Sequence, residues 1–106
     1  MDLQPDHFLI NDDEQIAQAS RAMKAMSHPL RLKILCVLGL GELSVQEIVE
    51  MVGTTQSNIS QHLASLRENG VLRTRKDGNR VFYRVGDTRT LAVVGMMRDV
   101  FCGFIE

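Results

Sequence analysis

Two short amphipathic patterns separated by a three-residue break constrain the fold of this chain more than any other feature of its sequence. Their apolar stripes are aliphatic residues at helical spacing: Ile48, Val49 and Val52 in the first, and Ile59, Leu63 and Leu66 in the second. The break, residues 53–55, has room only for a tight turn, and Thr55 is a suitable N-cap for the second helix. Two short helices joined by a tight, glycine-containing turn predict a helix-turn-helix over residues 44–69.

The second of these helices has an unusual outer face. When Ile59 is placed toward the core, the opposite face and its flanks carry mostly short or neutral side chains: Ser57, Gln61, Ala64 and Glu68, flanked by Asn58, Ser60 and Ser65. Serine, asparagine and glutamine both donate hydrogen bonds to base edges and accept them, and small residues let a helix enter a major groove. A recognition helix is therefore favoured, with an ordinary solvated helix as the alternative for this segment alone.

A basic hairpin pattern follows the second helix. Asn69 and Gly70 end that helix, and residues 71–75 and 80–85 have the pattern of two strands around a turn at 76–79. The hairpin is crowded with cationic side chains: Arg73, Arg75, Lys76, Arg80 and Arg84. A basic hairpin beside a recognition helix is a wing that lies along a phosphate backbone. The sequence thus predicts a DNA-binding domain that is mainly α: a winged helix-turn-helix of about five helices with a two-stranded wing over residues 71–85.

Length and charge agree with this interpretation. The 106 residues are the length of one domain, here residues 1–106, and the 44% apolar content predicts a packed core. The formal net charge is −1, but residues 56–84 carry six basic and two acidic side chains, a local balance of +4. No apolar run is long enough for a transmembrane helix, and the acidic N-terminus does not resemble a signal peptide. We therefore expect a cytoplasmic protein with no membrane partner.

The terminal segments predict how the chain assembles. Residues 1–11 are expected to form a flexible arm, followed by a helix over 13–27. A short helix over residues 30–38 is apolar on two sides, which is typical of a helix packed between other elements. The last helix, over 88–104, is apolar around nearly its whole circumference. It is either a core helix or, as we favour, part of a homodimer interface together with helix 13–27. A two-fold symmetric dimer would present two recognition helices to a palindromic site.

The whole order of elements resembles the ArsR/SmtB family of bacterial winged-helix repressors. Four segments carry the resemblance: MSHPLRLKIL (26–35), ELSVQEI (42–48), TQSNISQHLASLRENGVL (55–72) and RKDGNRVFYRV (75–85). The resemblance implies a homodimer that binds double-stranded operator DNA and releases it when an inducer binds. It also implies DNA contacts from the recognition helix and the wing: Gln56, Ser57, Asn58, Ser60 and Gln61 in the helix, and Arg75, Lys76 and Arg80 in the wing. His62 points closer to the core side, so we expect it to pack rather than to contact bases.

The sequence departs from the metal-sensing patterns of that family. Ser44 occupies a position where one common site has a cysteine. On the last helix Asp87 remains, but Arg89, Val100 and Gly103 fall where histidine or carboxylate ligands would be expected. Arginine offers no lone pair, and valine and glycine have no ligating side chain. We therefore predict no metal and no cofactor, although a metal-responsive or inducer-independent regulator stays an alternative.

The chain contains two cysteines, Cys36 and Cys102, in the second and last predicted helices. Taken alone, each is compatible with a buried thiol that packs in the core. The resemblance extends to the dithiol branch of the family, which senses reactive sulfur or oxidants. It implies that persulfide or polysulfide joins the two thiols in a disulfide or polysulfide bridge and lowers DNA affinity.

Two other classes of function are alternatives to a DNA-binding regulator. A protein-interaction module that reuses the winged helix would bind its partner through the last helix. An enzyme is not expected, because the sequence has no nucleophile set, phosphate-binding glycine loop or paired carboxylates at workable spacing.

Overall fold

The computed structural model describes residues 9–103, which form five α-helices and a three-stranded antiparallel sheet. In chain order the elements are α1 (Asp13–Met26), α2 (Pro29–Leu38), β1 (Glu42–Ser44), α3 (Val45–Val52), α4 (Gln56–Glu68), β2 (Leu72–Asp77), β3 (Arg80–Val85) and α5 (Arg89–Phe101). The predicted winged helix-turn-helix fold is confirmed. Most of the predicted arm (1–11) lies outside the described residues. The last helix was predicted to run from 88 to 104, but it ends at Phe101 with Cys102 as its C-cap, and Gly103 has a positive φ of 69° that leaves the helical path.

Side-chain caps determine where four of the helices begin. Asp12 caps α1 and Thr55 caps α4, each by accepting a hydrogen bond from a backbone N–H of the first turn. Ser44 and Glu47 form a reciprocal capping box at the start of α3. At α2 the Nδ1 atom of His28 accepts from a backbone N–H of the first turn, and proline occupies the next position. These local signals explain why helix starts were predictable from sequence.

The sheet contains one strand more than the predicted two-stranded wing. The short strand β1 pairs with β3, with Leu43 opposite Tyr83, so that the strand order is β1-β3-β2. A segment of three residues is too short to show the alternation by which strands are recognised. Only its pairing with a distant segment identifies β1 as a strand.

The hairpin turn is also tighter than predicted. Asp77 is paired with Arg80, so the turn consists of Gly78 and Asn79 rather than the four residues 76–79. Gly78 has a φ of 61°, which glycine adopts without the steric penalty of a side chain. The strands therefore extend almost to the tip of the wing.

The core lies between α2, α3, α4 and the inner face of the sheet. Its largest fully buried side chains are aliphatic: Ile34, Leu35, Ile48, Ile59, Leu63, Leu66 and Leu72. The stripes that predicted the helix-turn-helix thus face inward as expected. By contrast, α5 has no buried residue, although its half-buried Leu91 and Val94 pack against the core. In the single chain this helix therefore lies at the edge of the core and leaves most of its apolar surface exposed. No helix within residues 9–103 combines the length and apolarity needed to cross a bilayer.

Candidate nucleic-acid interface and cysteine cleft

The outer face of α4 presents an open row of hydrogen-bonding side chains. Four of the five predicted recognition residues are exposed: Gln56, Ser57, Ser60 and Gln61. The fifth, Asn58, is half-buried, and its Nδ2 atom donates to the Oγ1 atom of Thr54 at 3.3 Å. Asn58 thus supports the turn between α3 and α4, while the other four face outward.

His62 is held on the inner side of α4, where the sequence placed it. Its Nδ1 atom accepts a 3.0 Å hydrogen bond from Nε of Arg31, and its ring centroid lies 4.4 Å from that of His28. Another nitrogen of Arg31 donates to the carbonyl of Ala25 at 3.0 Å, so this arginine connects α1, α2 and α4. Burial, followed by the neighbouring charges of His28 and Arg31, lowers the pKa of His62 and favours the neutral ring that accepts this bond.

The strand register divides the basic residues of the wing between two faces. Successive side chains of a strand point to opposite faces, and Arg75 is opposite Phe82 in the register. Four arginines therefore share the outer face: Arg73, Arg75, Arg80 and Arg84. Lys76 belongs to the other face, together with Leu72. Of the three predicted wing contacts, the structure brings Arg75 and Arg80 together and separates Lys76 from them.

Arg75 and Arg80 flank one aromatic ring. Their guanidinium carbons lie 4.8 Å and 5.0 Å from the centroid of Phe82, within cation–π range. Arg80 also lies 3.8 Å from a carboxylate oxygen of Glu47. Phe82 therefore holds two cations on the outer face of the sheet, a role that strand alternation alone did not indicate.

Arg75 is also engaged by a carboxylate from β1. Its Nε atom donates to Oε1 of Glu42 at 3.0 Å, and its NH2 group pairs with the same carboxylate. The hydrogen bond with Arg75 is the main reason that the pKa of Glu42 lies below its ordinary value. A phosphate group that binds Arg75 must therefore compete with Glu42.

Two further arginines join this surface. Arg73 and Arg84 are directly opposite each other in the β2–β3 register, and both are exposed. Like charges at opposed positions repel each other, and an anion between them relieves that repulsion. Strand alternation alone puts Arg73 on the face of Arg75, but only the register between β2 and β3 shows that Arg84 shares that face.

The two thiols open into one cleft. Cys36 lies on α2, Cys102 is the residue that ends α5, and both side chains are exposed and unbonded. Both line a cleft of about 460 Å³ between α1, α2 and α5. The alternative of two buried core thiols is therefore wrong. The sequence carried no signal for the cleft itself, since its walls come from three separate helices.

Asp87, the one residue that remains of the metal-site pattern expected on the last helix, lies two residues before α5 and is already paired with Arg89. Asp87 accepts two hydrogen bonds at 3.1 Å from Nε of Arg89, which together with the backbone N–H of Arg89 lowers the pKa of Asp87 to about 2. Within residues 9–103, no three His, Cys, Asp or Glu side chains lie close enough to share a metal ion.

Known proteins match this arrangement. Residues 28–74 match the model of the arsR family of bacterial regulatory proteins. The biofilm growth-associated repressor of Xylella fastidiosa is 35% identical over 97 residues, which cover 91% of this chain and 85% of that protein. The chain belongs to the arsR family. As a member of that family it is a DNA-binding transcriptional regulator and not an enzyme.

One further curated relative and one solved structure are also similar to this chain. The transcriptional activator HlyU of Vibrio cholerae is 39% identical over 90 residues, which cover 85% of this chain and 83% of that protein. The homodimeric winged helix-turn-helix DNA-binding domain of Mb0332 from Mycobacterium bovis superposes with a TM-score of 0.79 at 26% identity. That alignment covers 100% of this chain and 94% of the solved one.

Proposed function

We propose that the protein is a cytoplasmic homodimeric repressor that binds a palindromic operator and releases it when Cys36 and Cys102 are oxidised. Persulfide or polysulfide is the inducer, and the two thiols are joined by a disulfide or polysulfide bridge. The observation that carries the proposal is that both thiols are exposed in one cleft although 66 positions of sequence numbering separate them. Two isolated core cysteines would have no reason to share an opening.

The DNA-binding surface of the proposal has two parts. The recognition helix contributes Gln56, Ser57, Asn58, Ser60 and Gln61, of which Asn58 acts mainly by holding the turn. The wing contributes Arg75 and Arg80 from its outer face and Lys76 from the other face. Neutral side chains on the helix suit the reading of base edges, and arginines on the wing suit phosphate contacts.

The dimer is supported by apolar surface that the single chain leaves open. Helices α1 and α5 expose large side chains that a monomer would normally bury: Met23, Val93, Met96, Met97, Val100 and Phe101. The likeness to the homodimeric Mb0332 domain supports the same assembly for this chain. A two-fold axis would then set the distance between the two α4 helices, and with it the spacing of the operator half-sites.

The cleft is connected to the recognition helix through α2. Cys36 lies on α2, and Arg31 of the same helix bonds to His62 of α4 and to the carbonyl of Ala25 in α1. A bridge between Cys36 and Cys102 would fix α2 relative to the end of α5, because bonded cysteines hold their Cα atoms about 4.4–6.8 Å apart. A shift of α2 would thereby move α4 relative to the dimer interface.

The experiment that tests the proposal compares DNA binding before and after complete oxidation. The reduced protein first selects its preferred duplex from a randomised DNA pool, and binding to that duplex is measured by fluorescence anisotropy. An excess of inorganic polysulfide is then added until the intact mass stops changing. We expect a loss of two hydrogens, with or without added sulfur, weaker binding, and reversal by dithiothreitol.

Single variants provide the controls. Cys36→Ser and Cys102→Ser should each retain DNA binding but lose polysulfide-induced release. The proposal is wrong if either variant still releases DNA like the wild type, or if the wild type binds equally well in both redox states.

A further inference from the structure

We propose that Arg21 and Lys24 of α1 bind a phosphate of the DNA backbone beside the recognition helix, separately from the wing. The site is a small basic cavity between α1, α2 and α4. This inference rests on the proposed placement of α4 in the major groove. It adds a phosphate contact from a helix that belongs neither to the helix-turn-helix nor to the wing.

The cavity gathers positive charge that its own walls do not balance. Its volume is about 190 Å³, and it is lined by Arg21, Lys24, Ala25, Arg31, Ser65 and Asn69. Three of these residues are basic and none is acidic. Cations that lie together without a counter-ion repel one another, and a bound anion relieves that repulsion. The cavity therefore suits a phosphate group.

Two of the three cations are free to bind a ligand. Arg21 and Lys24 are exposed, and within residues 9–103 neither side chain takes part in a hydrogen bond or an ion pair. Arg31 differs, because its Nε atom donates to His62 and its NH1 group donates to the carbonyl of Ala25, both at 3.0 Å. Arg31 thus adds a fixed positive charge, while Arg21 and Lys24 supply uncommitted donors.

The end of α1 accounts for one of these two cations but not for the other. Lys24 lies in the last turn of α1, where a positive charge offsets the partial negative charge of the helix carbonyls. Arg21 lies before that turn, and the effect of a helix end falls off within the last turn. An anion between α1 and α4 gives both side chains a partner.

The cavity borders the surface of α4 that is proposed to read DNA. Ser65 lies four residues after Gln61, so these two side chains are neighbours on the surface of the helix. An α-helix with its side chains is about 10–12 Å wide, and the major groove is about 12 Å wide. Phosphates of the two strands therefore run along both flanks of a helix in the groove. Those on the α1 side of α4 would meet Arg21 and Lys24.

The test measures the salt dependence of DNA binding by the variant that combines Arg21→Gln with Lys24→Gln. Binding to the selected duplex and to random DNA is followed by fluorescence anisotropy between about 50 and 200 mM salt. Loss of one phosphate contact per protomer should make the slope of log K against log salt concentration less steep by about 2 for the dimer. Because phosphate contacts carry no sequence information, binding to both DNAs should weaken by the same factor.

Two further variants are the matched controls. Lys33→Gln combined with Arg89→Gln removes the same charge outside the cavity, where Lys33 donates to the carbonyl of Val52 and Arg89 pairs with Asp87. This control should change the salt slope much less than the cavity variant does. Arg21→Lys keeps the charge and should keep the slope of the wild type. The melting temperature and sedimentation of each variant confirm that folding and assembly are unaltered.

A neutral DNA linkage locates the contact. One methylphosphonate is placed in each half-site of the selected duplex and moved along the backbone from one position to the next. At the contacted position this linkage should weaken binding by the wild type and leave binding by the cavity variant unchanged.

The outcomes separate this inference from the proposed DNA-binding surface. Equal salt slopes for the cavity and control variants, or equal losses for the wild type and the cavity variant at every methylphosphonate position, would overturn the inference. Unchanged DNA binding, with a melting temperature that inorganic phosphate raises only in the wild type, would also overturn it, because the cavity would then hold a free anion. If Gln61→Ala and Arg80→Gln leave DNA binding unchanged as well, the proposed placement of α4 and the wing is wrong too.

Discussion

Replacement of Glu42 by glutamine tests whether the carboxylate of Glu42 competes with DNA phosphate for the guanidinium of Arg75. Glu42 holds the guanidinium of Arg75 through a hydrogen bond of 3.0 Å and an ion pair with the same carboxylate. Glutamine keeps the size of the side chain but removes the charge. Arg75 then exchanges its partner for a phosphate more readily, so Glu42→Gln should strengthen DNA binding.

The size of the effect follows from counterion release. Each phosphate contact changes the slope of log K against log salt concentration by about −0.9. One added contact per protomer should therefore steepen the slope for a dimer by about 2. If the added contact contributes nothing at about 1 M salt, a slope change of about 0.9 raises the affinity of the variant over that of the wild type by about eightfold at about 0.1 M salt. Two added contacts raise this ratio to about sixtyfold, which is the upper limit for the dimer.

The assay is fluorescence anisotropy of a labelled operator duplex between about 50 and 200 mM salt, the range over which phosphate contacts change affinity most clearly. Glu50→Gln is the matched control, because Glu50 is an exposed carboxylate on α3 and its replacement changes the net charge equally. Equal salt slopes for Glu42→Gln and Glu50→Gln would refute the reasoning. A steeper slope for Glu42→Gln alone would show that Arg75 gains a phosphate contact.

Four further outcomes are expected. Ser44→Ala removes the capping box of α3 and should lower the free energy of unfolding by about 1 kcal/mol, measured by thermal denaturation. Gln61→Ala should weaken binding to the selected duplex by about 1–3 kcal/mol without changing binding to random DNA or the melting temperature. The pKa of His62 is lowered from 6.5, so the folded state binds fewer protons than the unfolded state just below pH 6.5. The contribution of His62 to the free energy of unfolding is present above pH 6.5 and is lost as the pH falls through the folded-state pKa. His62→Gln should therefore make the free energy of unfolding, measured by denaturant titration at several pH values, less dependent on pH in this range. Arg89 lowers the pKa of Asp87 from 3.8 to about 2, so the contribution of Asp87 is present above pH 3.8 and is lost as the pH falls through about 2; Asp87→Asn should remove that acid sensitivity.

The helices and the hairpin were predictable because their signals are local. The stripe of Ile59, Leu63 and Leu66 faces the core, and Thr55 caps α4, as the 3.6-residue period and the capping preference require. Strand β1 was missed because three residues give no period to read. The face of Lys76 was missed because residue 76 was assigned to the turn, whereas β2 extends to Asp77 and strand alternation then puts Lys76 on the face opposite Arg75.

The cysteines illustrate the limit of the sequence differently. Cys36 lies on the second helix as predicted, and Cys102, predicted within the last helix, is its C-cap. Neither periodicity nor composition could show whether the thiols are buried. The packing of α1, α2 and α5 exposes both in one cleft. Sequence resemblance predicted a sensing pair, whereas the apolar character of the cleft emerged only from the three helices together.

The sequence by itself determined the helices, the two hairpin strands and the basic charge of the wing, and it predicts a recognition surface on α4, because these features depend on side chains a few residues apart. The tertiary structure decided which arginines of the wing are paired with a carboxylate and which side chains surround the two thiols. Arg75 and Glu42 are 33 residues apart, and the walls of the cysteine cleft come from both ends of the chain. Contacts over such separations depend on how the elements pack, which local sequence patterns do not specify.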